Sequence, residues 1–396
     1  MDKKVILNAR LIDGTGRPPI EPGVVVVGGP KIAAVGRAGE VALPAEAERI
    51  DAASHTVMPG LMDGHMHVTR MPAFLDANGH LAESLRAVGV LRRTLGWGTT
   101  TVANVGGCPE NVLLRKAIED GQVTRCSRLL VGAMVNATGG HVRGRSADGP
   151  WEVRKAVREM VAAGADFIKT AASGGFQWEH ERLEQEDYTL EELTALVNES
   201  HAKGKRVAVH AHAQPGLNHA IQAGCDVIAH GALIDEDALQ GIAAKGLHYM
   251  PTLYITSDKV ISRPNLPAHM KARMQHAHPI HRAGVRRAVQ LGLKLCAGTD
   301  GGPGDVMLEL VELVQCRLSP LDAIRAATRN TADALGILDT VGTLETGKAA
   351  DLLIVNGDPL ADVARLCQRE NVLLVMKDGR VEFAAEDWKR YFHPRD

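Results

Sequence analysis

Residues 206–230 begin Arg206-Val207-Ala208-Val209-His210-Ala211-His212 and end Asp226-Val227-Ile228-Ala229-His230, and this stretch decides the fold. Two short β-rich runs each end on a histidine, and the residues between them are enough for one helix. A strand, a helix and a second strand form a parallel βαβ unit. The alternation continues outward on both sides. Strands are predicted near Thr56–Leu61, Thr100–Val105, Leu129–Val135, Asp166–Thr170, Arg206–His210, Asp226–His230, Leu247–Leu253 and Lys294–Gly298. Helical patterns such as Trp151–Ala163, Leu190–Ala202, Asp235–Ala244 and Ala283–Gln290 lie between them. Repeats of this kind predict an α/β fold, a (β/α)8 TIM barrel over 57–341. An open doubly wound sheet is the rival.

The two ends read differently. Val5–Leu7, Val24–Val27 and Ile32–Val35 are β-like, and so are Asp351–Val355, Val372–Lys377 and Arg380–Phe383. Asp378-Gly379 between the last two runs is a hairpin signal. Residues 1–56 and 342–396 are therefore expected to meet in one small β-sandwich. The proline-broken stretch Tyr254–His281 reads as a long loop over the strand C-termini, the face where such barrels carry their sites.

Composition narrows the function. The chain has 396 residues and a net charge of −2, so no basic excess exists to neutralise phosphates. Nucleic acid is not an expected partner. No apolar run approaches the ~20 residues of a membrane span, and the start MDKKVILNAR lacks the apolar core of a signal peptide. A cytoplasmic protein is expected. The six cysteines form no CxxC pair, and a chain of this size needs no disulfides. Histidine occurs 17 times, more often than Phe, Trp and Tyr together at 5, 4 and 4. Histidine is the commonest metal ligand.

Position gives that surplus meaning. His65 and His67 follow the first barrel strand, and residues two apart in an extended segment share a side. Lys169 ends the fourth strand, His210 the fifth, His230 the sixth and Asp300 the eighth. A lone buried histidine is an ordinary core residue, and a lone Asp300 would be a helix cap. Lys169 alone would be a snorkelling or ion-paired lysine. Together they converge on the C-terminal ends of the proposed strands. His210 lies nearer its strand end than His212, which is assigned a supporting place.

With PGLMDGHMH, DFIKTAASGG, VAVHAHA, DVIAHG, AGTDGG and GKAADLLIV on the page, the chain resembles the metal-dependent amidohydrolase superfamily, in its prolidase-like and imidazolonepropionase-like branch. That branch includes Xaa-Pro dipeptidases and ochratoxin-hydrolysing amidohydrolases. The resemblance implies two divalent metal ions, zinc by expectation. His65 and His67 would bind the first ion, and His210 and His230 the second. Lys169 would bridge them as N6-carboxylysine, and Asp300 would bind the first ion and move the proton. It implies hydrolysis of an amide bond, in a dipeptide or N-acyl amino acid, by attack of a metal-bridging hydroxide. His141, in a Gly-Gly-His turn, would meet the carbonyl oxygen. Ser173, Gly174, His212 and Arg143 would contact substrate, with Arg70, Arg145 and Arg263 as further cations for a carboxylate. Relatives are often homo-oligomers. Ureas, carbamates and other xenobiotic amides are the alternative substrates, and a non-catalytic scaffold is the alternative of another class. His269, His276, His278 and His281, clustered on the long connection at the edge of the cleft, are assigned to the surface, and the remaining histidines are given no role.

Overall fold

A computed structural model describes residues 3–69, 77–107 and 110–393. Arg70 lies outside the described residues. Two sheets organise the chain. The first is a curled parallel sheet whose neighbours follow chain order: Leu61–Met66, Thr99–Gly107, Arg128–Asn136, Phe167–Ala171, Val207–Ala211, Val227–His230, His248–Met250 and Lys294–Leu295. The second is a mixed sheet drawn from both ends of the chain. Its order is Arg380–Ala384, Val372–Lys377, Leu352–Val355, Thr56–Pro59, Lys3–Leu11, Ile20–Gly28 and Lys31–Arg37, with Glu48–Asp51 paired beside Lys3–Leu11.

The predicted strand Thr56–Leu61 divides between the two sheets. Thr56–Pro59 pairs antiparallel with Leu352–Val355. The amide of Gly60 donates to Asp351 O, whereas the next amide, Leu61, donates to Gly98 O in the parallel sheet. The chain crosses at a glycine because a Cβ on Gly60 would fall 2.1 Å from Thr100 Oγ1. The hairpin expected at Asp378-Gly379 forms, with both residues at positive φ (47° and 73°), as a primed turn requires.

The predicted loop Tyr254–His281 is largely helical. A short helix, Asp258–Ile261, precedes a 23-residue helix, Ala268–Gln290, which carries Pro279 in its interior. Met274, Ala277, His281, Gly284, Val285 and Ala288 form its buried stripe. Their spacing of three or four is helical, but Pro279 and the histidines masked it. His281 is fully buried, so its surface assignment is corrected.

Alternation of side chains fills the inside of the parallel sheet. Met62, Ala103, Leu130, Phe167, Ala208, Val227, Met250 and Cys296 pack there as one apolar cluster. Residues two further on, Lys169 after Phe167 and His210 after Ala208, continue the inward row toward the strand C-termini. The first strand does this differently. Met62 belongs to the inner cluster but Met66 packs outside with Val68, Val102 and Leu129. A register shift between Asp63 and Met66 accounts for the change of face.

The carboxylate of Asp63, almost fully buried, ties this strand to the segment after Leu295. It accepts the His65 amide (3.1 Å), the Thr299 amide (3.1 Å) and the Thr299 hydroxyl (2.6 Å). Gly64 N also donates to Ala297 O, and Asp300 N to His65 O. The mixed sheet is anchored by Arg128, whose guanidinium bonds both Asp351 (2.5 Å) and Asp378 (2.6 Å). Removing the Asp63 carboxylate strands three donors. We expect Asp63→Ala to lose about 3 kcal/mol and Asp63→Asn, which keeps the shape and an acceptor, about 1 kcal/mol. Urea denaturation of the metal-free proteins measures this, and an unchanged midpoint for Asp63→Ala refutes the tie.

Candidate metal centre

His65, Lys169, His210 and His230 are buried at the C-terminal ends of their strands, Asp300 is half-buried, and His67 lies at the exposed rim. The structure brings all six sequence-assigned ligands to one cavity of about 620 Å³, together with His141, Arg143 and His212. Donor atoms of His65, His230 and Asp300 lie within 4.8 Å of one another, and so do those of His210, His212 and His230. His67 Nε2 is 3.1 Å from Asp300 Oδ1 and His65 Nε2 is 4.0 Å from it.

Two ligand positions break the backbone's ordinary preferences. His230 has φ 78° and Asp300 φ 53°, and Thr252, which supports His230, has φ 52°. Left-handed conformations of non-glycine residues cost on the order of 1–3 kcal/mol each and cluster at functional sites. At His230 the consequence is specific. Val227 faces inward, so simple alternation would turn His230 away from the centre. The left-handed twist allows its ring to join those of His65 and His210, at centroid separations of 4.6 and 4.4 Å.

Hydrogen bonds select the free nitrogen of His230. The Thr252 hydroxyl donates to Pro251 O (2.6 Å), so it accepts from His230 Nδ1–H (2.7 Å). That leaves the Nε2 lone pair for a ligand, the usual arrangement of a supported metal-binding imidazole. Behind it, His281 Nε2 donates to His230 O (2.9 Å). Burial pushes the His65, His210 and His230 pKa values far down, with neighbouring imidazoles and Lys169 adding to the effect. These rings are therefore neutral at pH 7. Burial also drives the Lys169 ammonium down to about 7 against the pull of Asp300. Its amine touches Thr170 O at 3.4 Å. Burial opposes ionisation of Asp300, but the His67 hydrogen bond and the charges of His67, His65 and Lys169 outweigh it and hold the carboxyl well below its ordinary value. Neutral imidazoles, a carboxylate and a deprotonatable lysine are a donor set suited to divalent metal ions.

The remaining assigned residues fall in different places. His141 stacks on His210, with centroids 4.2 Å apart. Arg143 lies over the Trp178 ring at 4.8 Å, and Arg263 bonds the Tyr254 hydroxyl at 2.7 Å; both arginines line the cavity. Arg145 instead pairs with Glu152 and Glu159. Ser173 is fully buried and its hydroxyl accepts the His212 amide, while Gly174 presents its carbonyl to His210 Nε2 at 3.3 Å. Both back the site from behind. His212 is buried with Nδ1 lacking a partner. Sequence reasoning gave no role to Asp63, Thr252, His281 or Glu181. Asp63 sat within the PGLMDGHMH motif, whereas nothing in the sequence pointed to the other three.

The amidohydrolase family model matches residues 56–381. Ochratoxinase of Aspergillus niger is 29% identical over 417 aligned residues, covering 95% of this chain and 86% of the relative. A solved Xaa-Pro dipeptidase with methionine bound in its active site is 30% identical, covers 97% of this chain and 100% of its own, and superposes with a TM-score of 0.86. A prolidase complexed with N-methylphosphonate-L-proline is 26% identical, with 96% and 99% of the two chains covered and a TM-score of 0.86. With the family model spanning most of its length, the chain belongs to the amidohydrolase family and is a hydrolase of carbon–nitrogen bonds.

Proposed function

We propose that the protein hydrolyses the amide bond of a dipeptide or N-acyl amino acid on two divalent metal ions, zinc by preference. The observation that carries this reading is the convergence of His65, His67, Lys169, His210, His230 and Asp300 on one cavity. We read the curled sheet as a closed (β/α)8 barrel over 57–341, with 1–56 and 342–396 forming the β-sandwich domain. The bonds of Gly64 and Asp300, which join the first strand to the segment after the last, support closure.

His65, His67 and Asp300 would hold one ion and His210 and His230 the other. Lys169 would bridge them as N6-carboxylysine, since an amine that sheds its proton near neutrality is nucleophilic toward CO2. When bound, such a pair of ions lowers the pKa of a water and polarises the amide carbonyl. The chain's own residues do the rest. Asp300 takes a proton from the attacking water and returns it to the departing amine nitrogen as the C–N bond breaks. His141 meets the carbonyl oxygen as it gains charge. Phe176, Ile255, Met270 and Met274 wall the cavity with apolar surface and restrict water. Arg143 and Arg263 supply positive charge for a substrate carboxylate. An apolar amide with one carboxylate fits this lining.

Three outcomes are expected. On a panel of dipeptides, N-acyl amino acids, their carboxamides and phenylureas, N-acyl-methionine or -leucine should lead, and carboxamide counterparts should show raised KM. Activity confined to phenylureas would overturn the substrate class. Asp300→Asn should lower kcat by roughly 10²–10⁴, and near-normal turnover with metal retained refutes its role. Lys169→Ala should lose both bound metal and activity, with partial recovery in a small carboxylate such as acetate. Full metal occupancy without added carboxylate counts against the carbamate.

A further inference from the structure

His141 is held more firmly than a loop histidine needs. Its Nδ1 is 2.8 Å from Glu181 Oε2, and the same oxygen accepts the Gly175 amide at 3.1 Å. The His141 amide donates to Asp187 Oδ2 (2.7 Å), and Trp178 Nε1 donates to its carbonyl (3.3 Å). One ring face lies on His210. Gly175 closes the other approach: a Cβ there would stand 2.2 Å from His141 Cε1. Glu181, His210 and Gly175 thus agree on one orientation of this imidazole, while Asp187 and Trp178 hold its backbone.

Glu181 is unusual in its own right. Its side chain is 1% exposed, and Oε1 is buried without a hydrogen-bond partner. An ionised carboxylate only accepts, so His141 carries its proton on Nδ1 and Nε2 is the nitrogen left to address the cavity. A buried carboxylate held against one imidazole nitrogen fixes the tautomer.

Resting on the amide-hydrolase reading above, we propose that Glu181 is a positioning residue for His141, turning Nε2 into the cavity toward the scissile amide. No bond to Glu181 forms or breaks. Gly175 serves the same end by leaving room for the ring. Glu181 comes from the loop after the lysine strand, forty residues from His141, and its spacing matches no motif.

The test has two arms. In the first, metal-free protein with 15N-labelled histidine is examined by NMR. A proton on Nδ1 of His141, identified by its loss in His141→Gln, should be present in the parent protein and lost or shifted in Glu181→Ala. This arm does not depend on any substrate. In the second, kinetics are measured on the best amide of the panel. Glu181→Ala should lower kcat about 10–100-fold, with KM changed less than about twofold and metal content unaltered. In a His141→Ala background the same substitution should add almost nothing, because both act through one bond. Equal losses in the two backgrounds, loss of metal, or an unchanged Nδ1 signal would overturn the proposal. A parent enzyme that cleaves no amide would instead overturn the functional reading, leaving the NMR result to stand alone.

Discussion

The architecture of the site depends on one buried carboxylate. Asp63 accepts donors from its own strand and from the segment that follows the last strand of the sheet. Burial pushes its pKa up to about 7, while the Thr299 hydroxyl and the two amides pull it back. A carboxylate placed there without these donors would be costly. The bonds also fix where His65 and Asp300 lie, because Asp63 is two residues from the first and its partner Thr299 is one from the second. Two residues far apart in sequence thereby meet around one shared acceptor.

Burial serves the chemistry in a second way. In water, imidazoles near pH 7 would be partly protonated and lysine fully so. Here desolvation favours the neutral forms, which are the forms that bind a metal ion or react with CO2. The same low-dielectric setting makes positive charge scarce at the base of the cavity. The arginines Arg143 and Arg263, both exposed, restore it higher up, where a substrate carboxylate would arrive.

Much of this was legible in the sequence because it follows from period-two alternation and from histidines at strand ends. Lys169 and His210 point inward for the reason that Phe167 and Ala208 do. What stayed hidden has physical causes. The bulge after Asp63 changes a strand's facing within three residues, and no residue type announces it. His230 reaches the centre through a left-handed backbone that a histidine seldom adopts. The long helix Ala268–Gln290 was obscured because a proline and several histidines interrupt its pattern, although its buried stripe is regular. Thr252, Glu181 and His281 act through tertiary hydrogen bonds, which leave no local spacing to read.

That long helix also shows why binding surface and metal support are not separable here. Near its start, Arg273 donates to the carbonyls of Trp178 (2.7 Å) and Glu179 (2.8 Å), holding the loop that carries Glu181. Two turns on, His281 donates to the His230 carbonyl. On the same helix, Met270 and Met274 line the cavity. A shift of this helix would therefore move the apolar wall, the loop behind His141 and the support of a ligand at once. Coupling of this kind keeps the histidine cluster and the apolar wall of the cavity in register. It also explains why His281, which does not line this cavity, is buried as thoroughly as the His230 it stands behind.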